Sequence, residues 1–437
     1  MKEKVLVIGA ARSGVAVAKL LARHDYEVSI TDMSDVKEAQ ELLELGIQVY
    51  PKGHPEHLKH RNWAFIVKNP GIKYTVPFVA YFVEQNVKIY TEVEIGYRYA
   101  KNFHYGAVTG TNGKTTITTM LYEMLQHNGK AIVAGNIGWP LSELALEHEA
   151  EEKDVALELS NFQLLGIDTF RPSASVVCNL APDHLDYMPS VESYYASKMR
   201  IYENCQQDDW FLRNVDDPTV MEYANNIPCT IIDFSLTRDD VDLYRKQGTV
   251  FLHDIMLFQE ADFHIVGDYN LSNAMVASCM AYKLGVSLQD IQATIASFQP
   301  VEHRMEYIGE KNGVRFYNDS KATNTHAVVA ALSSFASNII LLAGGHDKGI
   351  SFDDLKQFDE RVKLCVAFGE TRHQFQEIFT HTIEEEDMKQ ALDMAVSQST
   401  PGDIILLSPA CSSYDQFPNY EVRGKQFKEM VKEYMDI

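Results

Sequence analysis

A chain of 437 residues has room for two to four domains of roughly 100–200 residues each, and its 46% hydrophobic content is that of a globular protein with real cores. The 39 basic and 61 acidic residues leave a net charge of −22, which argues against nucleic acid or an anionic membrane as partner but leaves room for a local basic pocket. Six cysteines without a Cys-x-x-Cys pair point to neither a zinc site nor a disulfide framework and fit a reduced compartment. The opening apolar run over residues 5–11 stops at Arg12, and no apolar span of about 18 residues exists elsewhere. The expectation is a cytoplasmic, soluble protein without membrane insertion.

Residues 1–93 alternate short apolar runs with helical ones, which argues for a parallel sheet. Residues 5–8, 27–32 and 64–67 predict strands and 15–22 a helix. Gly9, Ala10, Ala11, Arg12, Ser13 and Gly14 occupy the first strand-to-helix turn, where nucleotides bind in such folds. Ala11 stands where a dinucleotide turn has the glycine that lets a pyrophosphate approach. A nicotinamide cofactor is therefore disfavoured, and another nucleotide diphosphate is not. Asp32 closes the second strand, at the place of a ribose or base contact. Lys68, Asn69, Pro70, Gly71 and Ile72 read as a turn. His54, His57 and His60 have metal-like spacing, but the Pro, Lys and Glu around them favour a solvated loop.

Residues 94–298 hold the stretch richest in chemistry. An apolar run over 105–108 leads into Gly110, Thr111, Asn112, Gly113, Lys114, Thr115 and Thr116, then an amphipathic run over 117–126. That order predicts strand, phosphate loop and helix. Backbone N–H groups and the helix N-terminus face the phosphates, Lys114 neutralises them, and a Thr hydroxyl sits on magnesium. Val108 stands where the general pattern has its first glycine, and the blander reading is a tight turn with a surface lysine. Residues 130–138 predict a strand ending in a turn that contains Asn136. Another follows at 154–160, where Glu158 interrupts an apolar run; a carboxylate there is costly unless paired or on a metal. Asp183 and His184 lie just past a strand at 175–180. Lys198 and Arg200 sit on a helix over 191–203, and its periodicity does not separate a solvated basic face from a site. Strand-like runs fill 209–266. Asn270 and Asn273 precede an apolar helix over 274–284, where spacing favours capping over an adenine contact.

From residue 299 a hairpin is predicted, with arms at 305–310 and 314–317 around Asn312 and Gly313. It ends in Asn318, Asp319, Ser320, Lys321, Ala322, Thr323 and Asn324, which gather an acid, a base and hydroxyls at a strand-to-helix junction. Strands at 338–345, 364–369 and 403–410 follow, separated by helices. Their ends carry Gly344, Gly345, His346, Asp347 and Lys348, and the run 408–417 with Ser413. Polar groups at several strand ends of one sheet build a site as a core does not.

Taken in order, the loop at 110–116, the turn at 135–138, Glu158, His184, Lys198, Asn270 with Asn273, His303 with Arg304 and the cluster at 318–324 resemble the Mur ligase family of ATP-dependent amide-bond synthetases, over essentially the whole chain. The resemblance implies an α/β fold of three domains. A Rossmann-like N-terminal domain over 1–93 would bind a uridine-diphosphate substrate. A P-loop-type mononucleotide-binding ATPase domain would span 94–298, and a Rossmann-like C-terminal domain over 299–437 would bind the amino acid. The tail 407–417 with Arg423 and Gly424 is similar to the branch that adds D-glutamate to UDP-N-acetylmuramoyl-L-alanine, in peptidoglycan precursor synthesis. The Asp-Asn-Pro-Arg run of the diaminopimelate- or lysine-adding branch is not found.

The resemblance also implies a site. Lys114, Glu158, His184, Lys198 and Arg304 would be its catalytic set. Gly110, Thr111, Asn112, Gly113, Lys114, Thr115, Thr116, Asn273, Arg304, Asp319 and Lys321 would hold ATP, with Arg304 on the γ-phosphate. Two magnesium ions are implied, the first on Thr115 and Glu158, the second on His184 and Lys198. The family carbamylates that lysine, which turns a cation into the oxygen ligand a hard metal needs. Ser13, Gly14, Asp32, Asn69, Gly71, Asn136 and His184 would meet the uridine substrate. Thr323, Lys348, Ser413 and the backbone near Tyr420 would meet D-glutamate. Asn69 replaces the family's usual Ser, and Tyr420 its commoner Phe. The implied chemistry is an acyl phosphate on the substrate carboxylate, then attack by the amine. A monomer that binds no nucleic acid is expected. Alternatives are another ligase of the family or of the folylpolyglutamate type, against which the first-domain turn and the 408–413 tail speak; a nucleotide-dependent switch, which needs neither Glu158, His184 and Lys198 nor the third-domain pocket; and a dehydrogenase, disfavoured by Ala11.

Overall fold

The computed structural model describes residues 2–183, 187–299 and 301–436, and the counts below refer to those residues. The chain divides into two compact units, Met1–Asp262 with Asn273–Ala296, and Phe263–Ser272 with Ser297–Ile437.

The first unit contains two sheets. Strands β1 (Lys4–Ile8), β2 (Glu27–Thr31), β3 (Gln48–Tyr50), β4 (Phe65–Lys68) and β5 (Ile89–Tyr90) are all parallel, in the order β3-β2-β1-β4-β5. The period-two pattern covers both faces. Val5, Val7, Val28, Ile30 and Val67 enter one apolar cluster, and Leu6, Ile8 and Ile66 the other. The predicted strands and helix are present, the helix as Arg12–Arg23. The two shortest strands, β3 and β5, were not anticipated. Nor is the histidine stretch simply solvated: the His54 ring stacks on Phe78 at 4.4 Å and its Nδ1 lies 2.9 Å from the Thr31 hydroxyl.

The second sheet has nine strands: β6 (Phe103–Thr109), β7 (Ala131–Gly135), β8 (Lys153–Glu158), β9 (Ala174–Val177), β10 (Trp210–Asn214), β11 (Thr230–Ser235), β12 (Leu243–Lys246), β13 (Thr249–Leu252) and β14 (Ile255–Gln259). Their order is β14-β13-β12-β11-β10-β9-β6-β8-β7. Pairing is parallel from β7 to β12, and an antiparallel meander closes the far edge. β6 therefore lies inside the sheet with β8 and β9 on either side, and the loop after it opens where the chain order reverses, the usual place for a ligand in such sheets.

The second unit carries the third sheet: β15 (Glu306–Lys311), β16 (Val314–Asn318), β17 (Ile339–Gly344), β18 (Val362–Phe368), β19 (Thr382–Glu384) and β20 (Ile404–Leu407), in the order β15-β16-β20-β17-β18-β19. The hairpin turns on Asn312 and Gly313, both at positive φ as a tight two-residue turn requires. Ile339, Leu341 and Ala343 face one cluster and Ile340 and Leu342 the other, so helices cover both faces. Three α/β domains are thus present. Among the described residues no helix is long and apolar enough to cross a membrane.

Candidate functional site

The loop after β6 is held in shape by the segment after β9. Thr111 N donates to Asn179 O at 3.0 Å, Asn112 N to Asn179 Oδ1 at 3.0 Å, and the Thr111 hydroxyl to Ala181 O at 3.0 Å. Gly110 sits at φ 142°, and a Cβ there would stand 3.0 Å from the Cys178 backbone nitrogen, so only glycine lets the two segments come this close. Gly113, in the left-handed region at φ 88°, caps the helix Lys114–Gln126 without a side-chain hydrogen bond. The N-terminus of this helix carries the partial positive charge that suits an anion.

Lys114 folds back over this loop, donating to Gly110 O at 2.9 Å and Thr111 O at 2.7 Å. From the helix Val191–Met199, Lys198 donates to the same Gly110 O at 2.8 Å, and its Nζ lies 4.5 Å from the centre of the Tyr194 ring. Lys198 is buried, and Arg200 divides its guanidinium between the carbonyls of Leu164, Leu165 and Ile167 and the Glu203 carboxylate. A solvated basic face is therefore excluded. Burial first, and then the Lys114 charge, hold the Lys198 ammonium well below the usual lysine range, against the opposing pull of Asp183, Cys178 and Glu158.

Glu158 closes β8, in register two residues before Gly110 through its pairing with Val108. It is buried. Oε1 accepts from Asn136 Nδ2 at 2.7 Å, and Oε2 is buried with no partner. The Thr116 hydroxyl is likewise buried and unpartnered, next to the expected Thr115. Orphaned oxygens at a phosphate-loop mouth fit a hard cation. Among the described residues no three His, Cys, Asp or Glu side chains cluster to hold a metal; the implied set draws instead on Thr115, Glu158, His184 and a modified Lys198. His184 lies outside the described residues.

In the first sheet the neighbours β2, β1 and β4 lead into the remaining candidates of that domain. Asn69 Nδ2 donates to Ser13 Oγ at 3.3 Å, and Gly71 N to Asn69 Oδ1 at 3.0 Å. Gly14 packs against the carbonyl of Gly9. Asp32 props the turn, accepting from Ala10 N at 2.6 Å and Ser34 N at 2.8 Å.

In the second unit, Asp319 follows β16 and is buried. It accepts from Met305 N at 3.2 Å and the Ser408 hydroxyl at 2.9 Å, and burial pushes its carboxyl up to about 6 against the pull of Arg304. Arg304 stands between two non-glycine residues at positive φ, His303 at 65° and Met305 at 44°, and its Nε is buried without a partner. Strain of this kind persists where the surroundings impose it, and it gathers at sites. Lys321 Nζ lies 5.5 Å from the centre of the Tyr420 ring. Lys348 is exposed, whereas Ser413 is buried. Buried Arg423 ties two strand-end loops together through Ser320 Oγ (3.0 Å), Ser320 O (2.8 Å), Cys411 O (3.1 Å) and Ser412 O (3.3 Å).

The expected cap is corrected. The helix runs Asp268–Lys283, so Asn270 and Asn273 lie inside it. Asn270 donates to Val266 O at 2.8 Å, and the amide nitrogen of Asn273 is buried without a partner. Sequence reasoning missed Asn179, whose only signal is a polar residue just past the apolar strand β9.

Glycine loop, helix N-terminus and a buried carboxylate with one unpartnered oxygen at the mouth of a parallel sheet define a phosphate-loop α/β protein. Residues 108–281 match the Mur ligase middle domain, and residues 303–411 the Mur ligase glutamate ligase domain. Relatives named UDP-N-acetylmuramoylalanine–D-glutamate ligase are 42% identical in Geobacillus kaustophilus, over 98% of this chain and 97% of that protein, and 41% identical in Shouchella clausii, over 98% and 96%. The solved pseudomurein peptide ligase type C of Methanothermus fervidus shares the fold at 18% identity, with a TM-score of 0.62, over 99% of this chain and 100% of that one. The chain belongs to the Mur ligase family, whose members are ATP-dependent ligases.

Proposed function

We propose that this protein joins D-glutamate to UDP-N-acetylmuramoyl-L-alanine at the expense of ATP, in the cytoplasm, with residues 1–93, 94–298 and 299–437 serving the uridine substrate, ATP and the amino acid. The observation that carries the choice of substrates is the likeness, over nearly the whole chain, to relatives bearing that activity in their names. The loop geometry supports the phosphoryl step.

The loop N–H groups and Lys114 hold the triphosphate, with Arg304, Asp319, Lys321 and Asn273 as further nucleotide contacts. The substrate carboxylate takes the γ-phosphoryl group and ADP leaves. The D-glutamate amine then attacks the acyl carbon, and phosphate leaves with loss of a proton from the amine. Positioning and charge neutralisation do most of this work. Thr115 and Glu158, and His184 with carbamylated Lys198, would hold two magnesium ions, which supply positive charge against the transferring phosphoryl group. Burial draws Lys198 toward its neutral form, which is the form that adds carbon dioxide. Ser13, Gly14, Asp32, Asn69, Gly71 and Asn136 take the uridine substrate, and Thr323, Lys348, Ser413 and Tyr420 take D-glutamate.

The test is phosphate release from ATP that needs both UDP-N-acetylmuramoyl-L-alanine and D-glutamate. Release that continues without D-glutamate, or that another amino acid supports equally, refutes the assignment.

A further inference from the structure

At the end of β4 a lysine is buried with only neutral groups around its charge. Lys68 is 1% exposed, and its Nζ donates to three carbonyls of the turn that follows: Asn69 at 3.1 Å, Pro70 at 3.4 Å and Ile72 at 2.6 Å. An ammonium has three donors, and each finds one acceptor. The Tyr74 ring lies 4.5 Å away. Burial alone draws the ammonium down to about 8, which leaves it charged at neutral pH.

A second donor reaches the same oxygens from the central domain. The Tyr187 hydroxyl lies 3.0 Å from Pro70 O and 2.7 Å from Ile72 O. Its ring packs on Phe162 at 4.2 Å. The turn's carbonyls are therefore drawn toward buried groups. Its outer side carries the half-buried Asn69 and the exposed Gly71, with the Asn69 amide reaching Ser13. Carbonyl oxygens facing a diphosphate would repel it, whereas a buried cation behind the turn attracts it.

We propose that Lys68 and Tyr187 are positioning residues for the diphosphate of the uridine substrate: together they turn the carbonyls of Asn69, Pro70 and Ile72 inward, so that the side where Ser13 and Asn69 meet is cleared of those main-chain oxygens. The proposal rests on the reading of that turn as part of the uridine-diphosphate site. Neither residue need touch the ligand.

The test compares Lys68→Met, Tyr187→Phe and the double variant, with KM measured for each of the three substrates. Lys68→Met is expected to raise KM for UDP-N-acetylmuramoyl-L-alanine ~10-fold through loss of charge-assisted hydrogen bonds, with kcat and KM for ATP and D-glutamate within a factor of about two. Tyr187→Phe is expected to raise the same KM ~3-fold, and the double variant to fall short of the product because both donors act on shared oxygens. An unchanged KM for the uridine substrate, or equal rises for all three, overturns the proposal. If Lys68→Met does not fold, Tyr187→Phe decides by the same criteria. A wild-type chain that releases no phosphate with both substrates sinks the ligase reading instead. The variants are then compared by calorimetry with UDP alone, where weaker binding supports the positioning role and unchanged affinity overturns it.

Discussion

Lys114 and Lys198 donate to one and the same carbonyl oxygen, that of Gly110, at 2.9 and 2.8 Å. Burial lowers the proton affinity of Lys198, and the Lys114 charge on the same acceptor lowers it further. Removing that charge in Lys114→Met should raise the Lys198 pKa and move carbamate formation to higher pH, which labelled bicarbonate and carbon-13 NMR would detect. Turnover should fall by about 10²-fold or more, since charge on the transferring phosphoryl group is no longer offset. Lys198→Ala should also lose activity and regain part of it with a short added carboxylate. Near-normal turnover in either variant contradicts the roles assigned.

Glu158 Oε2 is a buried oxygen without a donor. Glu158→Gln removes the charge, and Asn136 can still donate to the remaining oxygen. The variant should melt no lower than the parent, because a buried carboxylate oxygen left without a donor is costly. Its ATP-dependent turnover should fall at least ~10²-fold, with a weaker response to added magnesium. Full activity at ordinary magnesium would exclude Glu158 as a ligand.

Asp319 titrates near 6 in the folded chain, raised from 3.8 by burial. A carboxyl raised on folding stabilises while it is protonated. That contribution is complete below about pH 4 and lost as pH rises through about 6, and a shift of roughly two units is worth about 3 kcal/mol at most. Asp319→Asn carries no such dependence. Its melting temperature relative to the parent should therefore climb between pH 4 and 6 and level off above. A difference that is flat across that window would show that Asp319 is not the group responsible.

Gly424 leaves no room for a side chain. A Cβ there would come within 2.4 Å of His303 Nδ1, and that nitrogen lies 2.9 Å from Asn318 Nδ2. Gly424→Ala should destabilise the protein by about 1–3 kcal/mol as His303 gives way. Because Arg304 follows His303, KM for ATP should rise as well. Lost stability with an unaltered KM for ATP would separate His303 from the nucleotide site.

How much of this was legible depended on length and on charge. The sheets could be read because their central strands are continuous apolar runs, such as β17 and β20, which bury every residue. β3, β5 and β19 have three residues or fewer, too short to show a period. The phosphate loop was legible because its glycines, lysine and threonines are contiguous. Burial of Lys198 was not, since the helix Val191–Met199 mixes tyrosines, serines and charges with little amphipathic contrast. Lys68 escaped for a different reason. A lysine closing an apolar strand reads as the strand's exit to water, and only the folded turn shows its ammonium pointing inward. The cap was misplaced because Gly267, at φ 99°, ends the preceding segment earlier than the apolar run suggests.

The hydrogen bonds of Thr111 and Asn112 with Asn179 and Ala181 bind the phosphate loop through its main chain and through the Thr111 hydroxyl. A nucleotide thus meets a mould already cast. Little conformational freedom remains for the loop to surrender on contact, so the entropic tax on capture is small and more of the contact energy shows up as affinity.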